Sequence, residues 1–90
     1  MAKAEISWNR LTIDNVKLQV YAHHVGDRWN FYVRERRYEQ WQALEDPPLE
    51  DWLALLDAVA RRVQRRLIRP EEVARLRKTI RERFPEVQFV

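Results

Sequence analysis

Nucleophilic catalysis needs a nucleophile held beside a base, and this chain supplies few of either. It has no cysteine and one serine, Ser7, and its imidazoles are the adjacent His23 and His24. A nucleophile and base pair would have to be Ser7 with one histidine, and nothing around them repeats a catalytic signature. Adjacent histidines on a strand point to opposite faces, so they cannot chelate one metal together, and neither a thiol nor an HxxxH partner joins them. The lone glycine, Gly26, excludes the glycine-rich loops that cradle nucleotide phosphates. This inventory predicts a non-enzymatic protein with no metal and no cofactor.

Binding chemistry is better represented. Lys17, Tyr21, His23, Tyr32, Arg34 and Arg36 interleave cations with aromatic rings, and on one sheet face such a set could stack bases on the rings while the cations meet phosphates. Arg61 and Arg65, with Arg62 and Arg69, form a second cationic group that could grip a phosphate backbone. The expectation is a small binding module for single-stranded nucleic acid or RNA. Both groups also have a purely structural use. Facing tyrosines stabilise a sheet by about 0.2–1 kcal/mol without a ligand, and Lys and Arg on exposed strands discourage edge association. Helical arginines complement the macrodipole when the helix starts acidic, as with Glu50, Asp51 and Asp57 or with Glu71 and Glu72. Asp57 with Arg61 and Glu71 with Arg75 are correctly ordered i, i+4 pairs.

The alternative is a protein-interaction or regulatory module, a homodimer or an adaptor for an acidic protein partner. Arg77 falls within the apolar stripe Val73, Ile80 and Phe84, where it either snorkels past the edge or marks an interface, and the apolar tail Val87–Val90 points the same way. A helix-turn-helix fits poorly, because the first helix is too long and the turn Leu67-Ile68-Arg69-Pro70 lacks a glycine.

The elements that must position these residues follow from periodicity. Val16, Leu18, Val20 and Ala22 alternate with Lys17, Gln19, Tyr21 and His23, and Trp29, Phe31 and Val33 alternate with Asn30, Tyr32 and Arg34. A two-residue turn at Gly26-Asp27 joins the two runs. Closing it between Val25 and Arg28 sets Ala22 opposite Phe31 and Val20 opposite Val33 on one face. The other face then pairs His23 with Asn30, Tyr21 with Tyr32, Gln19 with Arg34 and Lys17 with Arg36.

An earlier strand spans residues 5–13, with a turn at Asp14-Asn15 that would pair Ile13 with Val16 and Leu11 with Leu18. In that register Ile6 and Trp8 are out of phase with Leu11 and Ile13, so a bulge near Asn9-Arg10 is expected to return Trp8 to the core. Residues 36–44 fit a helix or a fourth strand, and the strand is preferred.

Asp46-Pro47-Pro48 opens the first helix, with Asp46 as N-cap and Pro47 at its first position. Its apolar face is predicted to be Leu49, Trp52, Leu53, Leu56, Val59, Ala60, Val63 and Leu67. The second helix runs from Pro70 to a stop at Pro85, and Val87 and Phe89 suggest a short closing strand.

The predicted fold is therefore α+β: a three- or four-stranded antiparallel meander followed by a C-terminal two-helix hairpin packed on one sheet face. With 90 residues it is expected to be a single domain, with a β part over 1–44, the helical hairpin over 49–84 and a tail over 85–90. The net charge of +3 is unevenly spread, acidic over residues 45–57 and basic from residue 58 onward. Residues 1–8 lack the apolar run of a signal peptide and no stretch is long enough to span a bilayer, so a cytoplasmic location away from membranes is expected.

Overall fold

The computed structural model describes residues 5–26 and 28–88. The chain is an α+β protein made of two compact units, Met1–Pro47 and Pro48–Val90. The first holds strands β1 (Glu5–Leu11), β2 (Lys17–Val25), β3 (Arg28–Arg34) and β4 (Gln42–Leu44), and the second holds helices α1 (Leu49–Gln64) and α2 (Glu71–Arg83).

The four strands form one antiparallel sheet in the order β1-β2-β3-β4. The β2–β3 register is the expected one: Val20 pairs with Val33, Tyr21 with Tyr32, Ala22 with Phe31, His23 with Asn30 and Gln19 with Arg34. Gly26 takes φ of 62° in the connecting turn. A Cβ built there meets nothing within 4 Å, so the position requires glycine for its backbone angle and not for space. The expected pairing of Lys17 with Arg36 does not form. β3 ends at Arg34, two residues short of Arg36, and Lys17 is paired only on its other side, with Leu11 of β1.

The β1–β2 hairpin differs from expectation by one residue. In place of a two-residue turn at Asp14-Asn15, the Asn15 amide donates to the Thr12 carbonyl at 2.9 Å, the Thr12 amide donates to the Val16 carbonyl at 2.9 Å, and Asn15 adopts φ of 64°. This is a three-residue loop, a tight turn followed by a left-handed residue. The extra loop residue shifts the register, so that Trp8 pairs with Val20 and Ile6 with Ala22.

Side-chain direction alternates along a strand, so this shift turns Ile6 and Trp8 to the face of Val20, Ala22 and Phe31. β1 is paired continuously through Asn9 and Arg10, and the bulge expected there is not needed. Ile6, Val20, Ala22 and Phe31 are buried, and Trp8 meets Phe31 edge to face at 6.0 Å. The consequence falls on Leu11 and Ile13, which are 60 % and 101 % exposed.

Within 36–44, only Gln42–Leu44 form a strand, pairing with Phe31–Val33, while Tyr38 lies in the preceding loop and is exposed.

In the helical unit, α1 begins after Pro48, whose extended backbone (φ −68°, ψ 160°) makes it the N-cap. Asp46 is not the cap and Pro47 is not helical, because a residue that precedes proline is sterically held away from the helical region. The buried face of α1 is Asp51, Trp52, Leu55 and Val59. It is rotated from the expected one toward Leu55, leaving Leu53 and Leu67 exposed.

α2 packs on α1 and contributes the buried Leu76 and Ile80, with the Arg83 guanidinium 5.2 Å from the Trp52 ring centroid. Arg77 is exposed, beside that buried pair. α1 closes with the Leu67 amide donating to the Arg62 carbonyl and the Arg66 amide to the Val63 carbonyl, both at 2.9 Å. This is a Schellman motif with Arg66 at φ of 62° where glycine is usual. After α2, residues 85–88 form a turn and no strand. Phe89, half of the expected closing strand, lies outside the described residues.

Candidate functional site

Alternation places Lys17, Gln19, Tyr21 and His23 of β2 on the sheet face opposite Val20 and Ala22, and register places Tyr32 and Arg34 of β3 beside them. The Tyr21 and Tyr32 rings stack at 4.8 Å with 20° between their planes. Across from Tyr21 on β1 stands Ser7, with Glu5 opposite His23. The Glu5 carboxylate lies 3.7 Å from His23 Nδ1.

Trp41, just ahead of β4, completes the cluster. Its ring meets Tyr21 at 4.6 Å and 89°, and the Arg34 guanidinium lies over it at 4.2 Å, within the range of a cation–π contact. Arg34 is held in place, since Nε donates to Gln19 Oε1 at 2.7 Å and a terminal nitrogen donates to the Glu39 carbonyl at 3.4 Å. Burial is the main cause that raises the Tyr21 hydroxyl above the ordinary tyrosine pKa, helped by the neighbouring Tyr32 and Glu5. The ring is therefore a neutral phenol near neutral pH. Tyr21, Tyr32, Arg34 and Trp41 are all half-buried.

Two shallow depressions flank Trp41. One, of about 380 Å³, is lined by Glu5, Ser7, Tyr21 and Trp41. The other, of about 340 Å³, includes Asn9, Gln19, Arg34, Arg37 and Trp41 in its lining. The first combines rings with a carboxylate and a hydroxyl, and the second combines two guanidiniums with amides.

Of the residues singled out from sequence, five (Lys17, Tyr21, His23, Tyr32 and Arg34) come together on this face. Arg36 does not join the strand pairing. It sits in the β3–β4 loop, where it donates to the Tyr38 hydroxyl at 2.7 Å. Arg61 and Arg65 belong to the helical unit, both exposed, and Arg61 pairs with Asp57 at 3.0 Å. Arg75 pairs with Glu72 at 2.9 Å and not with Glu71, an i, i+3 contact that the helix surface also permits.

Trp41, Glu5 and Ser7 were not anticipated at this site. Parity alone could have found Trp41, which stands two residues before Ala43, the residue facing Tyr32.

Ser7 and His23 share the face, but no hydrogen bond joins them among the described residues. His24 lies on the opposite face, stacked on Trp29 at 4.3 Å. Among the described residues no group of three His, Cys, Asp or Glu side chains could hold a metal ion, and no helix is long and apolar enough to cross a membrane. No protein-family model matches the chain, and neither a curated protein nor a solved structure is significantly similar to it.

Proposed function

We propose that this protein is a non-enzymatic binding module that takes single-stranded nucleic acid, DNA or RNA, on the Tyr21/Tyr32 face of its sheet. The observation that carries the reading is the half-buried cluster of Tyr21, Tyr32 and Trp41 held by Arg34. Rings supply sequence-tolerant stacking, and cations beside them meet the phosphates that run between stacked bases. Lys17 and Arg37 extend the positive charge, both exposed. The helix arginines have a smaller part in this reading, since Arg61 already answers Asp57.

Titration of labelled single-stranded oligonucleotides at two salt concentrations tests it. Binding should weaken as salt rises, with a logarithmic slope of about −0.7 for each phosphate neutralised. A Tyr21→Ala/Tyr32→Ala variant should lose about 1–3 kcal/mol for each base that stacks, while circular dichroism reports whether the sheet persists. Binding that ignores both salt and the tyrosines would remove the sheet face from consideration.

A second reading rests on a different surface. Leu11, Ile13 and Val16 are exposed together at the tip of the β1–β2 hairpin, an apolar group that suits contact with another protein or a second copy of this chain.

A further inference from the structure

We infer that the depression beside Tyr21 seats one base of the bound strand and selects guanine over uracil; the inference rests on the sheet-face reading above and gives it a base preference. The depression is walled by Tyr21 and Trp41 at 89° to one another, and Glu5 and Ser7 complete its lining. Its volume of about 380 Å³ is near the low end of the roughly 300–1,000 Å³ of ligand pockets. It has room for a single base.

Ser7 makes that room. It stands directly across from Tyr21 in the ladder, and directly opposed side chains fill the space over each other when both are large. Tyr32 stacks on Tyr21 from the β3 side. On the β1 side the small serine leaves space at the ring.

The polar groups then decide which base fits. An ionised carboxylate only accepts hydrogen bonds, whereas a hydroxyl can donate. Guanine offers two adjacent donors on its Watson–Crick edge, the ring N–H and the exocyclic amino group, which match the two oxygens of Glu5. Its carbonyl oxygen can accept from Ser7. Uracil presents a single N–H between two carbonyl oxygens, and both would face the carboxylate.

The neighbouring depression, with Arg34 and Arg37 beside Gln19, is placed to take the adjoining phosphate. Trp41 lines both. Base and phosphate thus fall in adjoining depressions that share Ser7 and Trp41, with the charge signs that each requires.

The test compares short unstructured RNA oligonucleotides of alternating uracil and guanine with all-uracil oligonucleotides of the same length, by fluorescence anisotropy on the full chain. The guanine-containing strand should bind about tenfold tighter, the discrimination expected of a good bidentate base contact. Glu5→Gln should bring the ratio close to one while leaving the salt dependence in place, because the phosphate contacts are untouched. Ser7→Val, which suits a strand but fills the depression, should do the same.

Equal binding of the two strands by the unsubstituted protein, or an undiminished preference in Glu5→Gln, overturns the base assignment and leaves the sheet-face reading standing. Failure of both strands to bind overturns that reading as well.

Discussion

At the scale of single residues, the scarcity of glycine shapes the backbone. The chain must turn left-handed in at least three described places and has one glycine to do it with, so Gly26, Asn15 and Arg66 carry positive φ. Asparagine tolerates that region because its short polar side chain bonds locally, whereas arginine brings a Cβ clash with no such compensation. Arg66 is exposed and closes the end of α1 through the Arg66-to-Val63 and Leu67-to-Arg62 hydrogen bonds. Arg66→Gly is therefore expected to stabilise the protein by about 0.5–1 kcal/mol, since relief of the clash outweighs the greater entropy of glycine in the unfolded chain. Urea denaturation measures it, and a loss of stability would mean that the Arg66 side chain makes a contact worth more than the strain. The sequence showed that the helix must break over residues 67–70, but not which residue would take the left-handed angle, because no glycine marks it.

The two hairpins show at the level of elements what was legible and what was not. For β2–β3, turn chemistry and apolar phase agreed, and every pair from Gln19–Arg34 to Val25–Arg28 follows from placing the turn at Gly26. For β1–β2 the same apolar phase was satisfied by two loop lengths that differ by one residue, and that difference inverts every side chain of β1. The longer loop is selected because Asn15 takes the left-handed position after a turn over Thr12–Asn15. It buries Ile6 and turns Trp8 to the same face, at the cost of exposing Leu11 and Ile13. Ile6 and the half-buried Trp8, which adds its ring contact with Phe31, thus take the core side in place of Leu11 and Ile13.

The same register brings Ser7 and Glu5 beside Tyr21 and His23. For that reason Glu5 and Ser7 could not be placed in the candidate site before the loop was known. If the loop holds the register, Asn15→Val should cost about 1–2 kcal/mol, because a β-branched residue is strongly disfavoured at positive φ. It should also shift tryptophan fluorescence as Trp8 loses its place against Phe31. An unchanged midpoint and spectrum would show that the strand pairing, and not Asn15, sets the loop.

Over the whole molecule, charge and exposed apolar surface point to different partners and so can be separated. The acidic run at residues 45–57 and the basic residues from 58 onward are largely absorbed into the two helices, which begin with Glu50 and Asp51 or with Glu71 and Glu72 and end with Arg61 and Arg62 or with Arg81 and Arg83. Net charge is thus a poor guide to the ligand here, and the arrangement of a few side chains on one sheet face is a better one. The apolar hairpin tip has no comparable internal use. Ile13 is fully exposed beside Leu11 and Val16, and scattered single exposures are ordinary where three at one tip are less so. If two chains pair through their tips, sedimentation equilibrium should give a mass that rises above the monomer value with concentration. Ile13→Asp should return it to the monomer value without altering the binding of oligonucleotides, since Ile13 lies in the loop and not among the residues of the sheet-face cluster. A mass that stays monomeric at every concentration would dismiss the pairing of two copies at the tip, and the exposed Leu11, Ile13 and Val16 would then need a different protein as partner.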